Sequence, residues 1–463
     1  MKLIIKFGGT SVGSAERIEN VGQIIKENSK ENQLIVVTSA LGETTDYLVE
    51  IMEKAPKGDN CEKIIEKLEE YHSEVIENLI KNDQIKNGIK EDTQKMFEVL
   101  KKLVDGIITL KQTTPKSNDQ ILSYGERLAA PILAAKLQEI GLNSIALTGG
   151  DAGIITDDKF GEASPLMKLT KHRLQKNLEA KIDDGLIPVI TGFIGKTQEE
   201  EITTIGRGGS DYTATLLGAC LNFDEIWIMT DVDGLLSTDP RILDYAKVIP
   251  NLSYEEASEM AVMGAKSMHP RALEPAKESN TPVRIKNSFN KESKGTLIND
   301  SVLINEKEIA KAVTRINGIA MINVTGMNMT GNPGIAGQIF SILGRNEINI
   351  IMISQSISES NITFLINKSA LTKALSVLEI GLLNKEIVKE IKFEDEVSVV
   401  SIVGAGMKGT HGVASRLFNA ISKKEINVKM IAQGSSELNL SFVVNESDSV
   451  EAIKSLHDEF IKK

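Results

Sequence analysis

The chain opens on a short apolar run, KLIIKF (2–7), that stops at Gly8-Gly9-Thr10-Ser11 and gives way to a helical periodicity from Ser14 to Lys30. QLIVVTSA (33–40) follows as a second buried-strand run ending in small polar residues. Strand, glycine turn, helix and strand in this order predict a parallel α/β sheet, because parallel neighbours need a crossover between them. Residues 50–112 break the pattern. They are rich in Glu and Lys, helically periodic and poor in strand candidates, and they predict an inserted helical subdomain or lid with a solvated charged face. The alternation resumes with NSIALTGG (143–150), LIPVITGF (186–193) and DEIWIMTD (224–231). PVRIKNS (282–288) is the last strand before a linker at Lys291–Asp300. The runs end in Gly, Thr or Asp, so their polar ends gather beyond the strand C-termini, where open α/β sheets bind ligands.

From about residue 310 the pattern repeats itself. Gly334-Ile335-Ala336 aligns with Gly412-Val413-Ala414 at an offset of 412 − 334 = 78. The same offset carries Phe340 onto Phe418, Ile348-Asn349-Ile350 onto Ile426-Asn427-Val428, and Gln355 onto Gln433. It also carries Ser358-Glu359 onto Ser436-Glu437, Asn361 onto Asn439 and Phe364 onto Phe442. Each copy reads as strand, glycine-containing loop, helix, strand, turn, strand, the outline of a small βαββαβ unit. Gly404-Ala405-Gly406-Met407-Lys408-Gly409 matches the dinucleotide fingerprint G-x-G-x-x-G, but it lies in the second copy with only 54 residues after it, and Gly326 to Gly331 in the first copy lacks the middle glycine. The match therefore belongs to the repeat, and a nucleotide-binding role for it is set aside.

Composition narrows the picture. No apolar run reaches the roughly 20 residues of a membrane span, and the N-terminus reads as a strand and not as a signal peptide, so a cytoplasmic location is expected. Cys61 and Cys220 are isolated, reduced thiols on this reading, and no spacing suggests a protein-built metal site. A net charge of −11 argues against general nucleic-acid binding but allows an anionic ligand wherever cations are concentrated.

Such concentrations exist. Lys6, near the end of a buried strand, needs an anionic partner, and Gly8 and Gly9 let the backbone approach one. An ordinary turn after an edge lysine is the simpler alternative. Thr204-Ile205-Gly206-Arg207-Gly208-Gly209-Ser210-Asp211 is more specific. Arg207 can hold a carboxylate or phosphate in two-pronged fashion, Gly208 and Gly209 supply amides, and Ser210-Asp211 cap the following helix. Tyr124-Gly125-Glu126-Arg127 opens another helix, where Glu126 either meets a substrate ammonium or is a first-turn acid. Thr230-Asp231-Val232-Asp233-Gly234 and Asp239-Pro240-Arg241 form acidic loops, suited to a magnesium–nucleotide complex or simply to turns. Gly264 to Pro270 adds a glycine-adjacent lysine, Lys266.

Taken in order, these motifs, with Ser39-Ala40 and Thr45-Asp46, resemble those of the aspartate kinases of the amino acid kinase superfamily, and the repeat resembles their tandem ACT domains. The resemblance implies a three-layer α/β/α catalytic domain at 1–300, mainly parallel, and two ferredoxin-like ACT domains at 301–390 and 391–463. It implies transfer of the γ-phosphate of ATP to the β-carboxylate of L-aspartate, the first step toward lysine, threonine and methionine. Catalytic work would fall to Lys6, Arg207 and Asp211. Ser39, Thr45, Glu126, Arg207, Ser210 and Asp211 would hold aspartate. Lys6, Gly8, Gly9, Thr10, Gly208, Gly209, Thr230, Asp231, Arg241 and Lys266 would face ATP, which brings Mg2+. An amino-acid effector would meet Ile335, Ala336, Asn349, Gln355 and Gln433. Relatives often carry a tyrosine where this chain has Leu236, and lysine-sensitive ones an aspartate at the position of Ile351; the glutamines therefore favour threonine as inhibitor over lysine. The resemblance further implies a homodimer or dimer of dimers, and a chain ending at Lys463 leaves no room for a fused homoserine dehydrogenase. A kinase for another acidic amino acid, such as glutamate, is the nearest alternative; a catalytically dead sensor or an ACT-bearing dehydrogenase stands further off.

Overall fold

The computed structural model describes residues 1–264, 268–300, 308–326, 334–356, 361–383 and 387–462. The chain divides into two compact units, one of residues 1–235, 248–254 and 266–302, the other of 236–247, 255–265 and 303–463.

The first unit is built on strands β1 (Lys2–Phe7), β2 (Gln33–Thr38), β3 (Ser144–Leu147), β4 (Ile187–Thr191), β7 (Glu225–Thr230), β8 (Asn251–Leu252), β9 (Val283–Asn287) and β10 (Thr296–Ile298), with β5 (Ile194–Lys196) and β6 (Ile202–Thr204) as a separate antiparallel pair. The sheet order is β3-β4-β2-β1-β7-β9-β10-β8, and all pairs from β3 to β9 are parallel. The segment read as a linker instead contains β10, which pairs antiparallel with β9; three residues are too few to show a strand periodicity.

Helices α1 (Ala15–Asn28), α2 (Thr44–Lys54), α3 (Glu62–Leu79), α4 (Asp83–Leu110), α5 (Pro115–Glu139), α6 (Gly149–Ala152), α7 (Met167–Asp183) and α8 (Gly209–Leu221) complete the layers around the central strands. Side-chain alternation in β1 sorts its residues between two faces. Leu3, Ile5 and Phe7 join a core with residues of α1, α3 and α5. Ile4 and Lys6 face the other way, toward α8, where Gly218 leaves room for the Ile226 and Ile4 side chains.

The long α5 starts earlier than the sequence suggested. Thr114 and Ser117 form a reciprocal capping box with Pro115 in the first turn, so Tyr124-Gly125-Glu126-Arg127 lies in mid-helix. Glu126 is therefore no first-turn acid. Gly125 is needed there because a Cβ would come within 2.8 Å of the Ala40 Cβ. Likewise, the cap of α8 is Gly208, at φ +75°, and Ser210 and Asp211 fall inside its first turn.

The second unit contains one antiparallel sheet of β11 (Ala312–Thr325), β12 (Ile350–Gln355), β13 (Asn361–Asn367), β14 (Glu390–Val403), β15 (Met430–Ala432) and β16 (Asn439–Asn445), in the order β12-β13-β11-β14-β16-β15. The two copies interleave at its centre. Residues 319–325 of β11 pair with β13 and with the first part of β14, closing the first copy. Residues 312–316 pair with Val399–Val403, so the fourth strand of the second copy comes from upstream of the first. Helices α11 (Ile335–Arg345) and α12 (Leu371–Leu378) pack on the first copy, and α13 (Val413–Ser422) and α14 (Ser449–Phe460) on the second. The opposite face gathers Met352 and Met430, from the two edge strands, into one cluster with Ile319, Leu365 and Val443. The fingerprint-like glycines are explained by packing: a Cβ on Gly404 would lie 2.7 Å from the Ala310 Cα, and one on Gly406 would overlap the Glu308 carbonyl.

Candidate active site

The strand ends of the first unit open into a cavity of about 280 Å³. It is lined by Lys6 from β1, Ser39 after β2, Thr45 on α2, Leu122 and Glu126 on α5, Phe193 after β4, and Gly206 to Asp211. Lys6 is buried, and its Nζ lies 2.5 Å from Asp211 Oδ1 in the first turn of α8. A buried lysine that lines the cavity thus already has its counter-charge. Glu126, 6% exposed, accepts from the Ala40 amide at 3.2 Å. Burial pushes its pKa from 4.5 up to about 8, against the pull of nearby N–H groups and the Lys6 charge. Arg207 is exposed, and among the described residues its guanidinium makes no hydrogen bond or ion pair, which leaves it available to a ligand anion.

The turn after β1 stands beside this cavity. The Gly8 amide continues the β1–β7 ladder to Met229 O at 3.4 Å, and a Cβ on Gly8 would sit 3.6 Å from Lys6 Nζ. A Cβ on Gly9 would come within 3.0 Å of the Ala40 carbonyl. Thr10 is exposed on the same turn. Thr230 and Asp231 end β7, the neighbour of β1, and the Thr230 hydroxyl donates to Asp231 Oδ1 at 3.1 Å. The structure therefore brings Lys6, Ser39, Thr45, Glu126, Arg207, Gly208, Gly209, Ser210 and Asp211 around one cavity, with Gly8, Gly9, Thr10, Thr230 and Asp231 on the adjoining strand ends. Arg241 belongs to the second unit, where its guanidinium grips Asp239 through Nε–Oδ1 at 3.0 Å and Nη2–Oδ2 at 2.6 Å. Lys266 lies outside the described residues.

Sequence reasoning passed over Leu122, Phe193 and Asp119. Phe193 holds a left-handed φ of +66°, unusual for a bulky residue, and its amide donates to Thr213 Oγ1 at 3.1 Å. Asp119, fully buried on α5, accepts from the Thr204 amide and hydroxyl and from the Gly161 amide. Its desolvation raises its pKa despite these bonds. In the second unit, Gln355 ends edge strand β12, Gln433 follows edge strand β15, and both are exposed, as is Asn349; Ile335 is buried and Ala336 half-buried in the first turn of α11. The described residues contain no group of three or more His, Cys, Asp or Glu side chains placed to hold a metal, and no helix long and apolar enough to cross a membrane.

A parallel sheet whose strand ends gather a paired lysine, an arginine in a glycine loop and a buried glutamate defines an α/β domain made for a charged small molecule. Comparison with known proteins specifies it further. The amino acid kinase family profile matches residues 1–287, and the ACT domain profile matches 322–380 and 400–460. The chain belongs to the amino acid kinase family. It is 33% identical to a bifunctional aspartokinase/homoserine dehydrogenase of Buchnera aphidicola over 99% of its own length and 56% of that protein, so it spans little more than half of this relative. It is 32% identical to the chloroplastic aspartokinase 1 of Arabidopsis thaliana over 99% of its length and 80% of the relative. Among solved structures, E. coli aspartokinase III in complex with aspartate and ADP superposes with a TM-score of 0.84 at 26% identity, covering both chains completely. An aspartate kinase from Clostridium acetobutylicum gives 0.81 at 26% identity, over 99% of this chain and all of that one.

Proposed function

We propose that the protein is an aspartate kinase that moves the γ-phosphate of ATP to the β-carboxylate of L-aspartate, giving 4-phospho-L-aspartate and ADP. The observation that carries this reading is the convergence of Lys6, Glu126, Arg207 and Asp211 on one cavity. An amino acid with two acid groups needs two cations and one anion in fixed positions, and that set is present. Glu126 takes the substrate ammonium, Arg207 the α-carboxylate, and Ser39, Thr45 and Ser210 complete the pocket. The β-carboxylate is then left pointing toward Lys6. The aspartate and ADP of the E. coli relative are in keeping with this assignment.

The reaction needs no protein nucleophile. The ionised β-carboxylate oxygen attacks the γ-phosphorus in line, the new O–P bond forms as the bond to the β,γ-bridging oxygen breaks, and ADP leaves. Charge on the moving phosphoryl group is met by Lys6, held in place by Asp211, and by the amides of the glycine turns. Magnesium enters with the nucleotide's phosphates, since Mg2+ typically takes only one or two protein carboxylates at such sites. Asp231, just past the end of β7, offers a carboxylate for that purpose. Residues 1–300 supply this catalysis, and the ACT repeat supplies feedback control by an amino acid within a homodimer or dimer of dimers, in a pathway to lysine, threonine and methionine.

The test is a substrate panel with hydroxylamine trapping of the acyl phosphate. Aspartate should give a hydroxamate and glutamate should not. Lys6→Ala should keep the fold and lose about 2–4 kcal/mol of barrier stabilisation, read as a fall in kcat. An unchanged kcat ends the assignment.

A further inference from the structure

Asp119 stands two helical turns before Glu126 on α5, a spacing of seven residues that puts both on one face of the helix, with Leu122 between them lining the cavity. Its carboxylate is completely buried and, among the described residues, makes no ion pair with a lysine or arginine. It accepts instead from three dipoles: the Thr204 amide at 2.8 Å, the Thr204 hydroxyl at 2.7 Å and the Gly161 amide at 3.0 Å. A buried anion without a counter-ion is costly, and a neutral side chain could tie down a strand end more cheaply. What the charge fixes is the residue at which β6 turns into the glycine loop carrying Arg207. The loop is pinned again one residue later, where Ile205 donates to the Phe193 carbonyl at 2.9 Å and accepts from Arg271 at 3.2 Å. Beyond that point Arg207 sits in a turn between Gly206 and Gly208, both at positive φ, closed by the Gly209 amide donating to the Gly206 carbonyl at 3.0 Å, so the place of the turn is set by its anchor at Thr204 and Ile205.

We infer that Asp119 is a positioning residue for the substrate's carboxylate: one helix carries the group that receives the ammonium, Glu126, and the group that sets the distance from it to Arg207. This inference rests on the proposal that the cavity binds an acidic amino acid. Its physical content is that α5 acts as a ruler between the two charged ends of the substrate, while most of the nucleotide side of the site, Lys6 to Thr10 and Thr230-Asp231, is carried by β1 and β7 and the turns that follow them.

The experiment compares Asp119→Asn, Thr204→Val and Thr204→Ser with the wild type in the full-length protein, measuring kcat, the KM for aspartate, the KM for MgATP and Tm. Asparagine keeps the volume of Asp119 and can still accept from both amides, but it removes the charge and turns its N–H2 group toward the Thr204 hydroxyl, reversing that bond. Asp119→Asn should raise the aspartate KM about tenfold or more, with the MgATP KM within about twofold. Thr204→Val should raise it about three- to fivefold and Thr204→Ser should restore it, since serine keeps the hydroxyl. In the double variant Asp119→Asn/Thr204→Val the effects should be less than additive. Ser144→Ala, which removes a buried hydroxyl bond to Ala134 in the same unit, serves as the control that lowers Tm without separating the two KM values. Both KM values rising together, or a lower Tm with an unchanged aspartate KM, overturns the inference. Should Asp119→Asn not fold, the Val and Ser pair at Thr204 decides alone. A wild type that uses glutamate instead of aspartate refutes the functional reading, and the same variants are then read in the glutamate KM; a wild type inactive on every acidic amino acid overturns both.

Discussion

Glu126 carries the sharpest consequence at the scale of one residue. With its pKa raised to about 8 by burial, the carboxyl is mostly protonated at neutral pH, whereas the ammonium it is proposed to receive wants the anion. Substrate binding then expels a proton, and the aspartate KM should fall as pH rises from about 6 to 8 and level off above. Stability moves the other way. The folded-state pKa lies above the ordinary 4.5, so the folded protein holds the proton more tightly, and the stability this provides is complete below 4.5 and is lost as pH rises through 8. Glu126→Gln never bears the charge. Its unfolding free energy should exceed the wild-type value at pH 8, by an amount on the order of a few kcal/mol at most and with a correspondingly higher Tm, and match it near pH 5, while aspartate turnover collapses. Thermal melts at the two pH values check this, and an equal Tm difference at both would remove Glu126 as the cause. Neither the burial nor its effect was legible in the sequence, which showed a glutamate beside a glycine. The role of Gly125 is steric: it lets α5 approach Ala40 closely enough for Glu126 to reach that residue's amide.

At the scale of elements, legibility follows burial on both faces. β1, β2, β4 and β7 are central strands, so apart from Lys6 their interiors are apolar runs, and their bounds agree with the reading within two residues. β5, β6, β8 and β10 have two or three residues each, too few for a periodicity, and their pairing, β5 with β6 and β8 with the distant β10, defines them. The start of α5 was legible in principle, since Thr114-Pro115 with Ser117 is a capping signal, but the more conspicuous Y-G-E-R drew the boundary nine residues too late. The loop of Arg207 was recognised for its composition, yet the reason for Gly208 is conformational: φ is +75° and a Cβ would overlap the His269 Cβ. Gly208→Ala must therefore distort the cap of α8 and, with it, Asp211 and the Lys6 ion pair. A loss of about 1–3 kcal/mol of stability is expected, with kcat falling alongside, measured by denaturant unfolding and steady-state kinetics. Wild-type stability in this variant would show that the loop tolerates a different path.

At the scale of the whole molecule, the 78-residue offset located the repeat but concealed how its copies are joined. A ferredoxin-like unit needs four strands, and the second copy has only three of its own after Glu396; the missing one is the start of β11. Val313, fully buried and paired with Ile402, thus belongs by sequence before the first copy and by structure to the second. Val313→Lys should strip hydrogen-exchange protection from β16 while β13 keeps it; the reverse result would mean that the copies do not divide β11 as described. The chain also passes from one unit to the other after residues 235, 247, 254, 265 and 302. The segment 236–247 leaves the strand-end loop of β7 and is tied into the second unit, where Ser237 meets His457 at 2.9 Å and the Val313 amide at 2.8 Å. α9 (Tyr254–Val262) does the same through Glu256, which binds Lys311 at 2.8 Å and the Ala405 amide at 2.7 Å. On the proposed regulation, covalent connections of this kind would carry the influence of an effector bound to the repeat to the residues that follow β7.

Which effector uses them is a matter of charge. A lysine side chain buried in a sensing site requires a carboxylate, and the position that would supply one is Ile351, half-buried on β12. Gln355 and Gln433 occupy matching places at the ends of the two edge strands and present amides, which can both donate to and accept from a hydroxyl but cannot neutralise an ammonium. Threonine should therefore inhibit and lysine should not. Gln355→Ala and Gln433→Ala should each shift the threonine concentration for half-inhibition upward by about tenfold, with the uninhibited kcat unchanged because neither residue touches the catalytic cavity. Activity titrated separately with threonine and with lysine decides the question, and inhibition by lysine alone would mean that some other acid, beyond these equivalent positions, receives the ammonium.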